Sequence, residues 1–214
     1  MTKAESSSEL DLLLEGSRIV EAPLDEARAA RLLRYLDLVY IWNKASGLTT
    51  IPRDRAVRLH LLDSLAASPL VQEGPCLDLG TGAGLPGLVL AIARPELAFV
   101  LVESNRRKCS FLMEAVRQVG VANARVLEAD ADTLVGTGCW PTVISRAFRP
   151  PPEFLEAAVL LGGPGSRIVL LMADPSEAEL DALAAGAGLQ RDRVRRLSLP
   201  GGGESRTIVS FRAP

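Results

Sequence analysis

The segment Cys76-Leu77-Asp78-Leu79-Gly80-Thr81-Gly82-Ala83-Gly84-Leu85-Pro86-Gly87 leads from a short apolar run bearing a carboxylate into a glycine-rich turn. Glycines at that spacing let the backbone turn tightly, approach a ligand closely and open a helix whose free N–H groups face it. The chain then returns as a second apolar run, Ala98 to Val102, which stops at Glu103. Together these pieces build half of an adenosine-binding crevice. Gly82 to Gly87 also matches G-x-G-x-x-G, the dinucleotide fingerprint. In a dinucleotide site the glycines follow the strand directly, and pyrophosphate sits on the helix N-terminus. Here Asp78 and Gly80-Thr81-Gly82 come first. A carboxylate at the strand end repels pyrophosphate and suits the ammonium group of a methionine moiety. The expected cofactor is therefore S-adenosylmethionine, with Asp78, Gly80, Gly82, Gly84 and Leu85 along its methionine side. An ordinary glycine-rich strand-to-helix turn is the alternative without chemistry.

Glu103, at the end of the second strand, is placed to accept both ribose hydroxyls; a merely solvated glutamate is the competing reading. After the third strand, Glu128-Ala129-Asp130-Ala131-Asp132 offers carboxylates and backbone N–H groups to an adenine edge. Ala131 (through its backbone) and Asp132 are assigned to that edge. Asp130 competes for it, and Asp132 suits a helix N-cap equally well. The fourth strand runs into Ser145-Arg146-Ala147-Phe148, which puts Arg146 beside the reacting centre as an anion contact. His60, the single histidine, is either an acid–base group or a hydrogen-bonded tie between the N-terminal helices and the sheet.

The elements that must position these residues follow from periodicity. Residues 1–9 are polar and expected to be disordered, and Leu10 to Leu14 starts a short helix. A helix covers Leu24 to Trp42 on the spacing of Leu32, Leu33, Leu36, Val39 and their neighbours, and Gly47 ends it. Another covers Val57 to Ala67. From Gly74 onward strands (76–79, 99–102, 124–128, 142–145, 167–172) alternate with helices (86–93, 108–119, 132–134, 153–161, 176–185). Two last strands, 194–199 and 206–211, flank Pro200-Gly201-Gly202-Gly203 as a hairpin. The expected fold is α/β: a Rossmann-like class I methyltransferase layout. Its sheet is doubly wound, mostly parallel and seven-stranded, closed by an antiparallel C-terminal hairpin. Residues 1–73 form a helical extension packed on a cofactor-binding domain, residues 74–214.

Composition narrows the class. The 214 residues and 48% hydrophobic content suit one buried core, and mean hydropathy is +0.19. No apolar run reaches the roughly 18–20 residues of a membrane span, and no apolar leader opens the chain, so a cytoplasmic protein is expected. Three cysteines without a Cys-x-x-Cys pair, beside one histidine, give no disulfide framework and no metal site. The net charge of −2 conceals clusters: Arg53, Arg55 and Arg58; Arg106, Arg107 and Lys108; Arg146 and Arg149; Arg191, Arg193, Arg195 and Arg196. Such clusters suit local contact with RNA phosphates rather than a broad basic field. A codon bias toward arginine gives the same pattern.

These residues resemble the bacterial ribosomal RNA small subunit methyltransferase G family, also called glucose-inhibited division protein B. The matching pieces are Trp42-Asn43 with Leu48-Thr49, and His60-Leu61-Leu62-Asp63-Ser64-Leu65. They continue with Asp78 through Gly87, Ser145-Arg146-Ala147, and Ser205-Arg206-Thr207-Ile208-Val209. They run in order over roughly residues 30–212. The resemblance implies methyl transfer from S-adenosylmethionine to N7 of a guanine in the decoding-region loop of 16S rRNA. It also implies 16S rRNA or the small ribosomal subunit as partner, no membrane, and a monomer. Guanine N7 already offers an in-plane lone pair, so no general base is needed. Alignment of the acceptor then carries the catalysis, a contribution of about 7–11 kcal/mol in well-oriented systems. The chain departs from the family pattern at three places. Met172-Ala173 replaces Lys-Gly, Gly47 replaces Asn before Leu-Thr, and Asp130-Ala131-Asp132-Thr133 replaces Arg-x-Glu-Glu. The first removes a positive charge beside the crevice, and the third exchanges a cation for an anion. A catalytically degenerate methyltransferase fold that binds rRNA or a ribosomal particle is the alternative these departures favour. A nicotinamide oxidoreductase rests on the G-x-G-x-x-G match alone.

Overall fold

The computed structural model describes residues 3–214, with side chains described from Ser8 onward. Strands β1 (Cys76–Leu79), β2 (Phe99–Glu103), β3 (Ala124–Glu128), β4 (Thr142–Arg146) and β5 (Arg167–Met172) run parallel. The last two, β6 (Gln190–Ser198) and β7 (Ser205–Arg212), are antiparallel, and the sheet order is β3-β2-β1-β4-β5-β7-β6. β1 and β2 are buried along their whole length, as continuous apolar runs covered on both faces must be. β6 forms one edge of the sheet, and Arg191, Arg193, Arg195 and Arg196 charge it, which discourages pairing with another chain.

Helices fill both faces. On one side lie α4 (Gly87–Ala93) and α5 (Arg106–Val119), together with α1 (Lys3–Ile19) and α2 (Glu26–Ser46). On the other lie α6 (Pro151–Gly162) and α7 (Glu177–Gly186). α5 buries Cys109, Phe111, Leu112, Ala115 and Val119, one face at helical spacing. The Asn105 side chain caps its start by accepting from the N–H groups of Arg107 and Lys108, and Gly120 ends it at φ 68°. Phe111 meets Tyr35 and Trp42 of α2, with ring centroids 6.5 and 6.0 Å away. The helices before residue 74 therefore share one core with the sheet.

Two expectations change. The disorder expected over residues 1–9 does not hold from Lys3 on, because α1 extends to that residue; residues 1 and 2 lie outside the described residues. Glu9 receives two hydrogen bonds from Arg53, and Leu13 is fully buried, which anchors the helix that polarity alone concealed. The helix expected from Val57 to Ala67 is instead a π-helical stretch, Val57–Leu62, continued by the α-helical turn Asp63–Leu65, here α3. The Asp63 N–H reaches back five residues to the Arg58 carbonyl, a winding associated with functional positions.

Candidate active site

The strand order reverses between β1 and β4, and a crevice opens beyond their carboxyl ends, where an open α/β sheet binds its ligand. Two adjoining cavities occupy it. The first, about 210 Å³, is lined by Gly80, Glu103, Asp130, Ala131, Phe148 and their neighbours. The second, about 410 Å³, includes Thr49, His60, Gly80, Gly82, Leu85 and Arg146. Gly80, Lys108 and Ala147 border both.

The glycine turn is held from both sides. Gly80 takes φ 64°, and a Cβ there would overlap the Phe148 ring, so the bare backbone is what lets Phe148 close on the turn. Gly82 donates its N–H to Glu103 Oε2 at 3.1 Å, while Oε1 accepts from the Asn105 N–H at 2.8 Å. Each carboxylate oxygen keeps a lone pair for the first cavity, which Glu103 lines. From the other flank, the Tyr35 hydroxyl of α2 donates to the Ala83 carbonyl at 2.6 Å.

Asp78 lies beneath the turn, at the end of β1. It is fully buried and lines neither cavity; its Oδ2 accepts from the Thr81 hydroxyl and from the Gly87 N–H at 2.8 Å. Burial pushes this carboxyl up to about 7, against the two hydrogen bonds and Arg146, which favour its charged form. Oδ2 thus fastens the turn to the first residue of α4, while Oδ1 is buried without a hydrogen-bond partner among the described residues. Gly84 likewise supports: a Cβ would press on Leu88 and Leu112, so its absence lets α4 and α5 pack. Asp132 is engaged by another side chain. Its carboxylate is gripped by both Nη atoms of Arg149 at 2.8 and 3.0 Å and lines neither cavity. The side chain that caps this turn and borders the first cavity is Asp130. Gly80, Gly82, Leu85, Glu103, Ala131 and Arg146 do converge on the crevice.

Arg146 anchors the far wall. Its Nη1 donates to Asp63 Oδ2 at 2.8 Å and to the Leu59 carbonyl at 3.0 Å. The second Asp63 oxygen accepts from Arg206 Nε at 2.7 Å. His60 stands between Arg146, 3.4 Å from its Nδ1, and the Thr49 hydroxyl, 2.8 Å from its Nε2. Burial first, then the charge of Arg146, holds this imidazole down at about 4. It is neutral at neutral pH and occupied at both nitrogens, a tie rather than a free base. Asp63, Arg206 and Thr49 lay within the matching sequence pieces. Their convergence could be read only from the His60-x-x-Asp63 spacing, which puts two polar side chains on one helical face.

The departures find partners. At the end of β5, Met172 and Ala173 line a cavity together with Arg206. The cation missing at Asp130 is supplied by Arg149, which reaches Asp130 and Asp132 and stacks on Phe148 at 4.7 Å. Gly47 takes the left-handed conformation that ends α2, one that glycine and asparagine both adopt.

Residues 28–209 match the family model described as rRNA small subunit methyltransferase G. A protein of Stenotrophomonas maltophilia named ribosomal RNA small subunit methyltransferase G is 43% identical over 197 residues, covering 89% of this chain and 90% of its own length. One of the same name from Xanthomonas axonopodis pv. citri is 40% identical, covering 88% and 89%. Among solved structures, magnesium protoporphyrin IX methyltransferase of Synechocystis with bound SAM superposes with a TM-score of 0.62. It shares 14% identity and covers 89% of this chain and 98% of that one, a likeness of fold alone. With the glycine turn, the Arg146 wall and a match over most of its length, this chain belongs to the rRNA small subunit methyltransferase G family.

Proposed function

We propose that this chain methylates N7 of a guanine in the decoding-region loop of 16S rRNA, acting as a cytoplasmic monomer on RNA or on the small ribosomal subunit. Family membership makes it an S-adenosylmethionine-dependent rRNA methyltransferase. The observation that carries the finer reading is a crevice with one end at Glu103 and a wall, around Arg146, whose histidine is engaged at both nitrogens. Glu103 would take the ribose, Ala131 the adenine edge by its backbone, and Gly80, Gly82 and Leu85 the methionine side. The Glu103 carboxylate, with a lone pair left on each oxygen at the first cavity, fits the ribose of that cofactor. S-adenosylmethionine supplies an electrophilic methyl group.

No residue has to remove a proton from guanine N7. Arg146, fixed by Asp63 and the Leu59 carbonyl, orients the acceptor, and the Asp63 carboxylate offsets its charge beside a base that becomes cationic. Arg106, Arg107 and Lys108 occupy the first turn of α5, where the helix dipole disfavours cations, and their side chains have no carboxylate partner among the described residues. They are suited to RNA phosphates at the crevice mouth.

The test is transfer of radiolabelled methyl from S-adenosylmethionine to small subunits lacking native methylation, followed by mapping of the modified base. Label at a guanine N7 in the decoding-region loop supports the reading. No label, with cofactor binding intact, replaces it by the RNA-binding protein on a degenerate scaffold.

A further inference from the structure

Asn43, Thr49 and His60 belong to the matching sequence pieces, yet the chemistry above gives them no task. Their hydrogen bonds do. Asn43 accepts from the Thr49 N–H at 2.8 Å and donates to the Thr49 carbonyl at 2.9 Å, so both backbone groups of Thr49 are fixed by one side chain. The Thr49 hydroxyl oxygen lies 3.0 Å from the Ile51 N–H, which donates to it, and 2.8 Å from His60 Nε2.

The contacts of His60 favour one tautomer. Arg146 Nη2 carries hydrogens only, so His60 Nδ1, which faces it, accepts. The Leu59 carbonyl accepts from Arg146 Nη1, and the ring's hydrogen-bond contacts among the described residues are Arg146 at Nδ1 and Thr49 at Nε2. With Nδ1 facing the Arg146 donor, the one proton of the neutral ring belongs on Nε2, where it is donated to Thr49. A hydroxyl has two lone pairs and one hydrogen. Ile51 and His60 use both lone pairs, and the hydrogen has no protein acceptor among the described residues. Thr49 borders the crevice cavity that also holds Gly80, Gly82 and Arg146.

We propose that Thr49 is a reactant-binding residue whose hydroxyl, with both lone pairs occupied, is locked as a donor to an oxygen acceptor in the crevice. Two oxygens fit that chemistry: O6 of the target guanine, which adjoins N7 on the same edge, and the carboxylate of the cofactor's methionine. The proposal rests on the methyltransferase reading for the identity of these reactants. His60 and Asn43 are then positioning residues: one fixes which way the hydroxyl points, the other where it stands.

His60 is the only histidine, so the imidazole 15N spectrum of the whole protein contains one pair of ring nitrogens. The expected spectrum has the proton on Nε2 and a bare Nδ1. A proton on Nδ1 overturns the proposal, because Thr49 would then give its hydrogen to His60. Binding separates the two acceptors. If the acceptor is the methionine carboxylate, Thr49→Val weakens S-adenosylmethionine affinity in calorimetry by about tenfold or more, the scale of a hydrogen bond to a charged group. If it is guanine O6, cofactor affinity stays and kcat/KM on the RNA falls by about three- to tenfold. In either case Thr49→Ser restores the native value. No change in Thr49→Val, or a loss that serine does not restore, refutes the donor role. The spectrum and the cofactor titration use no RNA, so a methyl group mapped to another base sinks the N7 reading and leaves this test standing.

Discussion

Arg146, at the end of β4, donates to Asp63 at 2.8 Å across 83 residues of chain, and the carboxylate it meets is almost wholly enclosed. Asp63 also holds Arg206 on its other oxygen, so one buried acid orients two cations at the crevice wall. Asp63→Asn destabilises the protein by about 3 kcal/mol, read from urea melts, and lowers turnover at saturating cofactor. Arg146→Ala abolishes turnover. A fully active Arg146→Ala protein would contradict its placement at the reacting centre.

Glu103 spends one lone pair of each oxygen on the protein and keeps the others for the first cavity. Glu103→Ala is expected to weaken S-adenosylmethionine binding by about 10- to 100-fold, the loss of charged hydrogen bonds. Isothermal titration checks it, and unchanged affinity removes the ribose assignment.

Gly80 and Phe148 compete for one volume. Gly80→Ala is expected to lose cofactor binding, since the new methyl group meets the ring and the left-handed backbone adds about 1–2 kcal/mol of strain. Adding Phe148→Ala relieves the overlap but not the strain. The double variant should therefore recover part of the affinity; no recovery points to a collapsed turn instead.

Two buried groups titrate in opposite senses. His60 is held down from 6.5 to about 4 and Asp78 pushed up from 3.8 to about 7. Between those limits the unfolded chain protonates the histidine and the folded chain protonates the aspartate. Each state holds one proton, so the pair contributes no slope to stability. Asp78→Asn leaves His60 alone, and stability then falls as pH drops from 6.5 toward 4, by up to about 1.4 kcal/mol per unit. His60→Gln leaves Asp78 alone, and stability falls as pH rises through the same window. Urea melts across it decide the matter; parallel profiles for the three proteins would show that these groups do not titrate as described.

Arg106 and Arg107 are exposed and border neither crevice cavity. Replacing both by alanine should leave cofactor affinity intact and make RNA binding less salt-dependent by about 1–2 units of log–log slope. An unchanged slope would place the RNA on another face.

Much of this molecule was legible in the sequence because parallel strands are apolar throughout and end abruptly. β3 and β5 have the expected bounds to the residue, and the hairpin and glycine turn lie where periodicity put them. What stayed hidden depends on side chains meeting across long separations. Nothing local distinguishes Asp78 facing a ligand from Asp78 tucked under the turn against Thr81 and Gly87. Asp132 was assigned by distance along the chain, but Arg149, 17 residues on, claims its carboxylate and leaves Asp130 at the cavity. The π-helical winding at His60 follows from tertiary contacts, since Val57 to Leu65 reads as an ordinary apolar helix.

The first and last parts of the chain close on each other. Arg195 of β6 donates to the Ala66 carbonyl and to Glu21, while Arg55 and Arg58 reach Glu204 at the hairpin turn. During synthesis the N-terminal helices leave the ribosome before the sheet they pack on exists. The hydroxyl clamp of Tyr35 on Ala83 waits for the glycine turn, and the Asp63 pairing waits first for Arg146 and then for Arg206. Assembly of the crevice is thus a late event governed by contacts distant in sequence, the kind that slow folding. A nascent chain stalled before β7 would carry the whole glycine turn and still lack a finished crevice wall.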